Sequence, residues 1–329
     1  MQNIYWDSLI KNRNKFKKRR IENLFEKDEN RFRKFSLAIE DLFFDYSKTN
    51  IDSATILNLN KFAYASDIMR KVNAMFKGEK INITENRSVL HTALRNFETN
   101  NFNNDFEINK TLISRFKSIS IFCNKIRDGK IKSCSGDQFT DVVNIGIGGS
   151  ELGPKLVTKA LSNYHDGPKI HFVSNIDSSE IIKIKKNLNP NKTLFILSSK
   201  SFTTIETIYN SRTAIEWVCS GLGSEGIQNF VAVCSSKDKA LDLGIYDENI
   251  FEFEEWVGGR FSVWGPIGLP VMLAIGVDQF RNFLEGASQI DNHFKNEEIS
   301  KNLPITLALI GFWHSTICNY NSRVILPYE

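Results

Sequence analysis

The sequence lacks the patterns that mark disulfide-stapled, metal-binding and membrane-spanning proteins. Its cysteines form no Cys-x-x-Cys pair and no cluster with histidine, which argues against a disulfide framework or a zinc site. No apolar segment follows the N-terminal charges as it would in a signal peptide, and the longest apolar runs, at residues 266–277 and 303–310, are too short to cross a bilayer. We therefore expect a cytoplasmic protein with reduced thiols and no membrane partner. The cysteines are Cys123, Cys134, Cys219, Cys234 and Cys318.

An excess of charge of one sign is also absent. In 329 residues, 42 lysines and arginines against 38 acidic residues leave a net charge of +4, so we expect no nucleic-acid partner. The exception is residues 11–20, where seven of the ten are basic. A nucleic-acid or lipid role for this run stays open, but no recognised binding module surrounds it, and a solvated helix face is the simpler interpretation. The length and the 41% hydrophobic content are those of a globular protein of one to three domains.

The chain changes character near residue 135. Residues 1 to about 110 are expected to be helical, because segments such as 31–44 and 55–76 place apolar residues three and four positions apart. Beyond residue 135, continuous apolar strands alternate with helical stretches, which predicts a doubly wound α/β domain with a five-stranded parallel sheet between helices. Ligands of such sheets bind beyond the C-terminal ends of the strands, so a site is expected in the loops that follow them. The predicted strands are 141–147, 170–174, 193–198, 229–234 and 250–253.

The first informative loop, residues 146–154, reads Gly-Ile-Gly-Gly-Ser-Glu-Leu-Gly-Pro. Its glycines allow the backbone to approach a ligand closely, and Pro154 suits the first turn of a helix. A nicotinamide-dinucleotide loop is the rival interpretation, and Asp177 after the second strand supports it. Against it, Glu151 stands where the fingerprint requires glycine and would repel a pyrophosphate. A plain turn of packing glycines also stays open.

The second loop, residues 198–207, carries five hydroxyls and one lysine within residues 198–204. An apolar-periodic helix is predicted from Ile205 onward. Because the N–H groups at a helix N-terminus are unpaired and carry partial positive charge, this loop is a natural phosphate seat. Thr203 and Glu206 have capping-box spacing, so simple capping of the helix is the alternative.

The third loop, residues 256–262, places Arg260 directly after two glycines and beyond the last predicted strand. A guanidinium there can hold a phosphate or a developing oxyanion, although a surface salt bridge is the ordinary alternative. The histidines show no metal-ligand spacing and are expected to be structural. They are His91, His165, His171, His293 and His314.

Together these segments resemble the signatures of the glucose-6-phosphate isomerase family. IGIGGSELGP at residues 145–154, SSKSFTTIET at 198–207 and WVGGRFSVWGPIG at 256–268 are similar to three of them in order and spacing. FKGEKINITENRSVLHTALRN at 76–96 resembles the family's N-terminal hallmark. The resemblance covers the chain from about residue 25 onward. Two shorter segments that also fit are DYSKTNID at 45–52 and HFVSNID at 171–177.

The resemblance implies two sugar-isomerase (SIS) domains, each with a parallel sheet between helices. On that pattern residues 111–285 form the first SIS domain and residues 286–329 begin a second, incomplete one. Residues 1–110 form an N-terminal helical region that packs with the second domain. The resemblance further implies a sugar-phosphate substrate, a homodimer when the protein is full length, and no metal or other cofactor.

The same resemblance assigns roles to particular residues. Gly149 and Ser150 would contact the sugar phosphate, and Gly259 and Arg260 would lie beside the reacting carbons, with Arg260 stabilising an enediolate. The phosphate would be held by Ser199, Lys200, Ser201, Thr204 and Thr207. Phe202 and Thr203 of the same loop would also belong to the substrate-binding site.

Two positions depart from the family pattern. The family usually has threonine where this chain has Ser201, and the hydroxyl survives. Pro270 falls where a helix is expected to continue, so that helix either starts later or kinks, since an interior proline costs about 3 kcal/mol.

The implied activity is the interconversion of glucose 6-phosphate and fructose 6-phosphate through an enediol, as in glycolysis and gluconeogenesis. The family takes its base glutamate, and the histidine and lysine that open the ring, from segments rich in Gly-Thr-Asn-Gly-Gln-His and from further downstream; nothing similar occurs here. Glu151 and Glu206 lie near the ligand loops, but Glu206 is better explained as a cap. We expect a C-terminally truncated isomerase that is inactive by itself, with a non-catalytic sugar-phosphate-binding module as the alternative.

Overall fold

The computed structural model describes residues 2–16, 19–96 and 106–328, and it divides the chain into two compact units. One unit comprises Met1–Lys77 with Gln289–Glu329, and the other is Gly78–Ser288. Positions 17–18 of the basic run and positions 97–105 of the predicted helical region lie outside the described residues. The SIS-domain boundaries at residues 110 and 285 stay predictions.

The bounds of the regular elements are as follows. The strands are β1 (Ser36–Ile39), β2 (Leu42–Asp45), β3 (Asp141–Ile145), β4 (Lys169–Val173), β5 (Thr193–Ser198), β6 (Phe230–Cys234) and β7 (Ile250–Glu252). The α-helices of the described residues are α1 (Gln2–Phe16), α2 (Glu22–Glu26), α3 (Arg31–Lys34), α4 (Ser53–Ala65), α5 (Ile68–Phe76), α6 (Ala93–Asn96), α7 (Phe106–Arg127), α8 (Gly149–Ala160), α9 (Ser179–Asn187), α10 (Ile205–Leu222), α11 (Lys237–Leu241), α12 (Leu269–Ile275), α13 (Val277–Asn296) and α14 (Leu303–Phe312). Short 3₁₀ helices occur at Ser162–Tyr164, Pro190–Lys192, Ser224–Asn229, Asp247–Asn249, Gly259–Trp264 and Pro266–Gly268. A π-helical turn occurs at Trp313–Ile317.

The unit Gly78–Ser288 is built on a five-stranded sheet in the order β4-β3-β5-β6-β7, with every neighbouring pair parallel. The predicted α/β class and parallel sheet are therefore confirmed, and each strand boundary lies within two residues of its predicted position. The strands could be predicted because both faces of the sheet are covered. β5 and β6 are buried at every residue, so their sequences are continuous apolar runs.

One face of this sheet packs on the helices that connect the strands. Val143 and Ile145 of β3 join a buried cluster with Ile181 of α9 and Ala214 of α10. Helix α12 is buried along its whole length and carries no polar side chain. Pro270 lies in its first turn, where no intrahelical N–H is required. Of the two outcomes expected for Pro270, the later helix start is the one observed.

The unit formed by residues 1–77 and 289–329 has a separate core, which includes Leu59, Ile305 and the fully buried Trp313. A buried arginine organises its N-terminal part. Arg31 is only 2% exposed, and its guanidinium lies 4.3 Å from the centre of the Phe35 ring. It donates hydrogen bonds of 2.8–2.9 Å to the backbone carbonyls of Ser47, Thr49 and Ile51.

The helix predicted over residues 31–44 is wrong. Helix α3 ends at Lys34, and β1 and β2 form an antiparallel hairpin that turns at Glu40, whose φ is 46°. The apolar spacing is compatible with either structure, because aromatic residues also favour strands. Aromatic contacts accompany the hairpin: the Phe32 and Phe43 ring centres are 5.7 Å apart, and Phe35 meets Tyr46 edge to face.

The helical segment predicted at 55–76 is two helices. Helix α4 ends at Ala65 and α5 begins at Ile68. Between them Asp67 adopts a left-handed conformation with φ 54°, which ends the first helix. Among the described residues, no helix is both long enough and apolar enough to cross a membrane.

Candidate active site

Three loops that follow strands of the parallel sheet meet at its C-terminal edge, all within the unit Gly78–Ser288. The first joins β3 to α8, the second joins β5 to α10, and the third follows β7. They are the three loops predicted from the sequence. Each pair of them is in direct contact.

The first and third loops touch through their backbones. A Cβ at Gly149 would overlap the carbonyl oxygen of Gly259, so only glycine fits at position 149. Beside this contact, the buried Ser262 donates a hydrogen bond of 2.7 Å to the Gly259 carbonyl, and its Oγ lies 3.4 Å from the Gly149 carbonyl. The family assignment of Gly149 and Gly259 to one site is consistent with this proximity.

The first and second loops meet at Gly146. A Cβ at this position would lie 2.7 Å from the carbonyl oxygen of Ser198 and 2.9 Å from Cβ of Ser150. The glycine therefore allows the end of β5 to approach the start of the first loop.

The second and third loops are joined by Lys200. Its ammonium donates hydrogen bonds to the carbonyls of Glu255 at 2.6 Å and Val257 at 3.1 Å. Burial, and then the nearby Arg87, lowers the pKa of Lys200 from its ordinary value of 10.5. Two of its three N–H donors are thus used within the protein, and the third forms no hydrogen bond with the residues that the structure describes.

The second loop is shaped by hydrogen bonds to its own backbone. The Phe202 N–H donates to Oγ of the buried Ser199 at 3.1 Å, while the Phe202 ring is buried in the core of the sheet. Phe202 has φ 46°, a left-handed conformation that a bulky residue adopts only when its surroundings enforce it. The hydroxyls of Ser201 and Thr203 are 2.6 Å apart.

Two residues that the sequence analysis missed also hold this loop. Ser235 donates from N and Oγ to the Lys200 carbonyl at 3.0 and 2.6 Å, and the ammonium of Lys239 donates to the Ser201 carbonyl at 3.0 Å. Both residues follow β6, the neighbour of β5. The rule that sites form beyond strand ends could have found them, had it been applied to that strand.

The predicted capping box at Thr203 and Glu206 is wrong. Helix α10 begins at Ile205, which makes Thr204 the N-cap, and its side chain makes no capping hydrogen bond. In an 18-residue helix, the first N–H groups and the positive end of the dipole thus face the hydroxyl-rich loop without a side-chain cap. Thr207 is buried, and its Oγ1 has no hydrogen-bond partner within the described residues.

The charged side chains near the loops differ in whether they already form hydrogen bonds or ion pairs within the protein. Arg260 is exposed and, among the residues the structure describes, forms no hydrogen bond or ion pair. Glu151 is buried and forms an ion pair of 2.8 Å with Lys155. Glu206 is half-buried. Asp177 accepts a hydrogen bond from the Ser179 N–H at the start of α9. In residues 2–16, 19–96 and 106–328, no group of three acidic, histidine or cysteine side chains could hold a metal.

A neutral histidine lies against the third loop. The His91 ring stacks on Phe261, the residue after Arg260, with ring centres 4.2 Å apart. Burial, and to a smaller degree the charge of Arg95, lowers the pKa of His91 from 6.5 to about 4. His91 therefore packs as an uncharged aromatic ring at neutral pH, which agrees with the structural role expected for it.

We predict that Gly149→Ala will push the first and third loops apart, because the new methyl group overlaps a backbone carbonyl that cannot rotate away. The free energy of unfolding, measured in urea, should fall by about 2 kcal/mol or more. Gly221→Ala is the matched control, since in the described structure its added Cβ in α10 would meet nothing within 4 Å beyond the adjoining helix backbone. This control should raise the stability by roughly 0.5–1 kcal/mol. Equal stabilities for the two variants would contradict the contact.

We predict that His91 makes stability pH-dependent between about pH 6.5 and pH 4. The unfolded chain takes up a proton below about pH 6.5, whereas the folded protein keeps His91 neutral down to about pH 4. Its contribution is complete above pH 6.5 and is lost as the pH falls, by about 2–3 kcal/mol. His91→Phe keeps the ring stack without the titration. Urea unfolding of this variant should show a smaller loss over that window, and identical losses would refute the assignment.

The chain is similar to known proteins along most of its length. The family model described as "Phosphoglucose isomerase" matches residues 45–329. The chain is 51% identical over 311 residues to the glucose-6-phosphate isomerase of Bartonella bacilliformis, covering 94% of this chain and 57% of that protein. It is 44% identical over 325 residues to the glucose-6-phosphate isomerase of a Chelativorans species, covering 98% and 60%.

A solved structure agrees with these sequence relatives. The crystal structure of a glucose-6-phosphate isomerase from Chlamydia trachomatis superposes with a TM-score of 0.80 at 28% identity, covering 89% of this chain and 56% of that one. The chain thus spans slightly more than half the length of the relatives that it matches. Because a family model matches most of the chain and the three contacting loops carry the family's signatures in order, the chain belongs to the phosphoglucose isomerase family.

Proposed function

We propose that this chain is the sugar-phosphate-binding part of an isomerase that interconverts glucose 6-phosphate and fructose 6-phosphate. The observation that carries the proposal is the second loop, where a hydroxyl-rich turn precedes the N-terminus of α10, which has no side-chain cap. In the neighbouring loop, Arg260 is exposed and forms no hydrogen bond or ion pair with the described part of the chain. The family membership and the relatives' names support the same activity. Its place would be glycolysis and gluconeogenesis.

In the proposed seat, Ser199, Lys200, Ser201, Thr203 and Thr204 surround the phosphate, because hydroxyls, one ammonium and helix N–H groups are the donors that such an anion requires. The buried hydroxyl of Thr207, which has no hydrogen-bond partner among the described residues, would gain a hydrogen bond from a ligand or water at this seat. Phe202 would shape the loop rather than bind the phosphate, because its ring is buried and its N–H donates to Oγ of Ser199.

The sugar end of the substrate would lie between the first and third loops. Gly149 and Ser150 would contact the sugar phosphate, and Gly259 would border carbons 1 and 2. Moving a proton between these carbons leaves negative charge on an oxygen, and the Arg260 guanidinium is the uncommitted cation placed to stabilise it. The reaction is an internal redox exchange between two carbons, so we propose that it needs no cofactor.

The general base is proposed to lie outside these 329 residues. Glu151 is buried in an ion pair with Lys155, so it is not free to take a proton from a substrate. Glu206 is on the first turn of α10, next to the residues that we assign to the phosphate. We therefore propose that this chain binds the substrate without turning it over.

We further propose that the complete protein is a cytoplasmic homodimer of SIS domains with no nucleic-acid or membrane partner. Exposed apolar pairs one helical turn apart support a self-association surface. They are Leu152 with Leu156 on α8, and Ile205 with Tyr209 on α10. A non-catalytic sugar-phosphate-binding module remains the second candidate, and the ion-paired state of Glu151 is the observation that favours it.

We predict binding without turnover for residues 1–329. Calorimetry should detect fructose 6-phosphate binding, and in nuclear magnetic resonance spectra the amides of residues 199–204 should shift most. A coupled isomerase assay should show no turnover, because losing positioned acid and base groups costs about 10²–10⁴ in rate for each group. The Bartonella bacilliformis enzyme is the positive control. Turnover within tenfold of that enzyme would place the base inside this sequence, and shifts confined to other loops would refute the seat.

We predict that Arg260→Ala acts on the charged intermediate rather than on the substrate. A phosphorylated five-carbon sugar acid, whose carboxylate imitates the enediolate, should bind about 10²–10³-fold more weakly to this variant. Fructose 6-phosphate should lose less than about tenfold, and in an active enzyme containing this chain kcat should fall far more than KM rises. Arg212→Ala, at another exposed arginine, is the control. Equal losses for both ligands would make Arg260 a ground-state binder.

A further inference from the structure

A fully buried asparagine lies in β3, the second strand of the sheet, two residues before the first loop. Asn144 of β3 is completely inaccessible to solvent, and its strand neighbours Val143 and Ile145 pack on the opposite face in the core cluster with α9 and α10. Burying a primary amide among apolar residues costs free energy unless each polar atom finds a partner. The question is therefore what its amide holds.

The nitrogen of Asn144 holds the first loop. Nδ2 donates a hydrogen bond of 2.9 Å to the backbone carbonyl of Ser150. In a regular helix that carbonyl would accept from the N–H four residues later, but the residue four positions on is Pro154, which has no N–H. Pro154 thus leaves a helix carbonyl open, and the side chain of Asn144 satisfies it.

The oxygen of Asn144 holds the second loop. Ser198, at the end of β5 and also fully buried, donates from Oγ to Oδ1 of Asn144 at 2.7 Å. The orientation of the amide is settled by chemistry, since a carbonyl can only accept and Ser150 must therefore face the NH₂ group. One amide accordingly joins Ser150 of the first loop to the residue directly before Ser199 of the second.

We infer that Asn144 is a positioning residue that sets the spacing between the Gly149-Ser150 loop and the Ser199–Thr204 loop, and so the geometry in which both meet one phosphate ester. The inference rests on the proposed function for its ligand. Asn144 is too deeply buried to touch a ligand itself, and it acts through the Ser150 carbonyl and the Ser198 hydroxyl. Pro154 is the second element of the device, because it creates the open carbonyl.

Another buried asparagine provides a matched control. Asn229 is also fully buried, accepts from the Cys134 N–H at 3.2 Å, and donates to the Pro190 carbonyl at 2.9 Å. It has the same pattern of one bond accepted and one donated, but it precedes β6 and so lies at the N-terminal edge of the sheet, away from the loops. Asn144→Leu and Asn229→Leu each remove two buried hydrogen bonds, and both variants add the same side-chain volume at a fully buried site.

The test compares the two leucine variants for binding of fructose 6-phosphate and inorganic phosphate by calorimetry on the 329-residue chain. Both variants should lower the urea midpoint. Asn144→Leu should in addition raise both dissociation constants about tenfold or more, whereas Asn229→Leu should leave them within about twofold. Unchanged dissociation constants in Asn144→Leu, or equal increases in both variants, would overturn the positioning role.

A double-mutant cycle with Pro154→Ala tests the cause. Alanine restores an N–H that can reach the Ser150 carbonyl, so Asn144→Leu should raise the dissociation constants at least about threefold less in this background than in the wild-type chain. Asn229→Leu should have the same effect in both backgrounds. Additive effects of Asn144→Leu and Pro154→Ala would overturn the inference.

Failure of the proposed function gives a different result. If the wild-type chain binds neither ligand, the assigned phosphate seat is refuted. The role of Asn144 is then tested by measuring the stability of the same variants in urea. A loss of stability from Asn144→Leu that shrinks in the Pro154→Ala background, while that from Asn229→Leu does not, sustains the link between the loops. Losses that are the same in both backgrounds refute it.

Discussion

The candidate site depends on a steric constraint: the backbone at Gly149 lies against the carbonyl of Gly259, where no side chain fits. Through this contact, the approach at Gly146 and the bonds of Lys200, the three loops form a closed ring in which every pair touches. The parallel sheet brings the loops to the same edge, and the contacts between them set their spacing. A ligand would thus meet a site whose backbone is already in place, which lowers the entropy lost on binding.

Several locally unfavourable features surround this ring, and each has a compensating partner elsewhere in the fold. Phe202 keeps a left-handed backbone because its ring is anchored in the core and its N–H is bonded to Ser199. Pro154 interrupts the hydrogen bonding of α8, and Asn144 satisfies the carbonyl that is left over. Lys200 is partly desolvated and has two carbonyls as partners. Such exceptions to local rules concentrate where a structure is built for function.

The N-terminal unit shows how a long-range interaction overrides a local pattern. The apolar spacing of residues 31–44 fits a helix, yet the chain turns at Glu40 into a hairpin. Arg31 is the reason that can be named: a guanidinium this deeply buried requires acceptors, and the returning chain supplies three carbonyls between Ser47 and Ile51. If the helix continued past Lys34, the chain would not return to Arg31, and those three carbonyls would not reach its guanidinium.

The sequence by itself determined the parallel sheet, its five strands and the three loops that follow strands at one edge, because a strand buried on both faces is a continuous apolar run that can be recognised locally. It also indicated the family, through motifs that lie at the strand ends. Only the tertiary structure decided the hairpin, the uncapped start of α10, the commitment of Lys200 to two carbonyls and the ion pair that occupies Glu151. The physical reason is distance along the chain. Ser198 is 54 residues from Asn144, and Val257 is 57 residues from Lys200, so no local pattern encodes their pairing. A side chain's neighbours across the fold decide which of its possible hydrogen bonds it makes. Those neighbours are known only once the strands are placed in register.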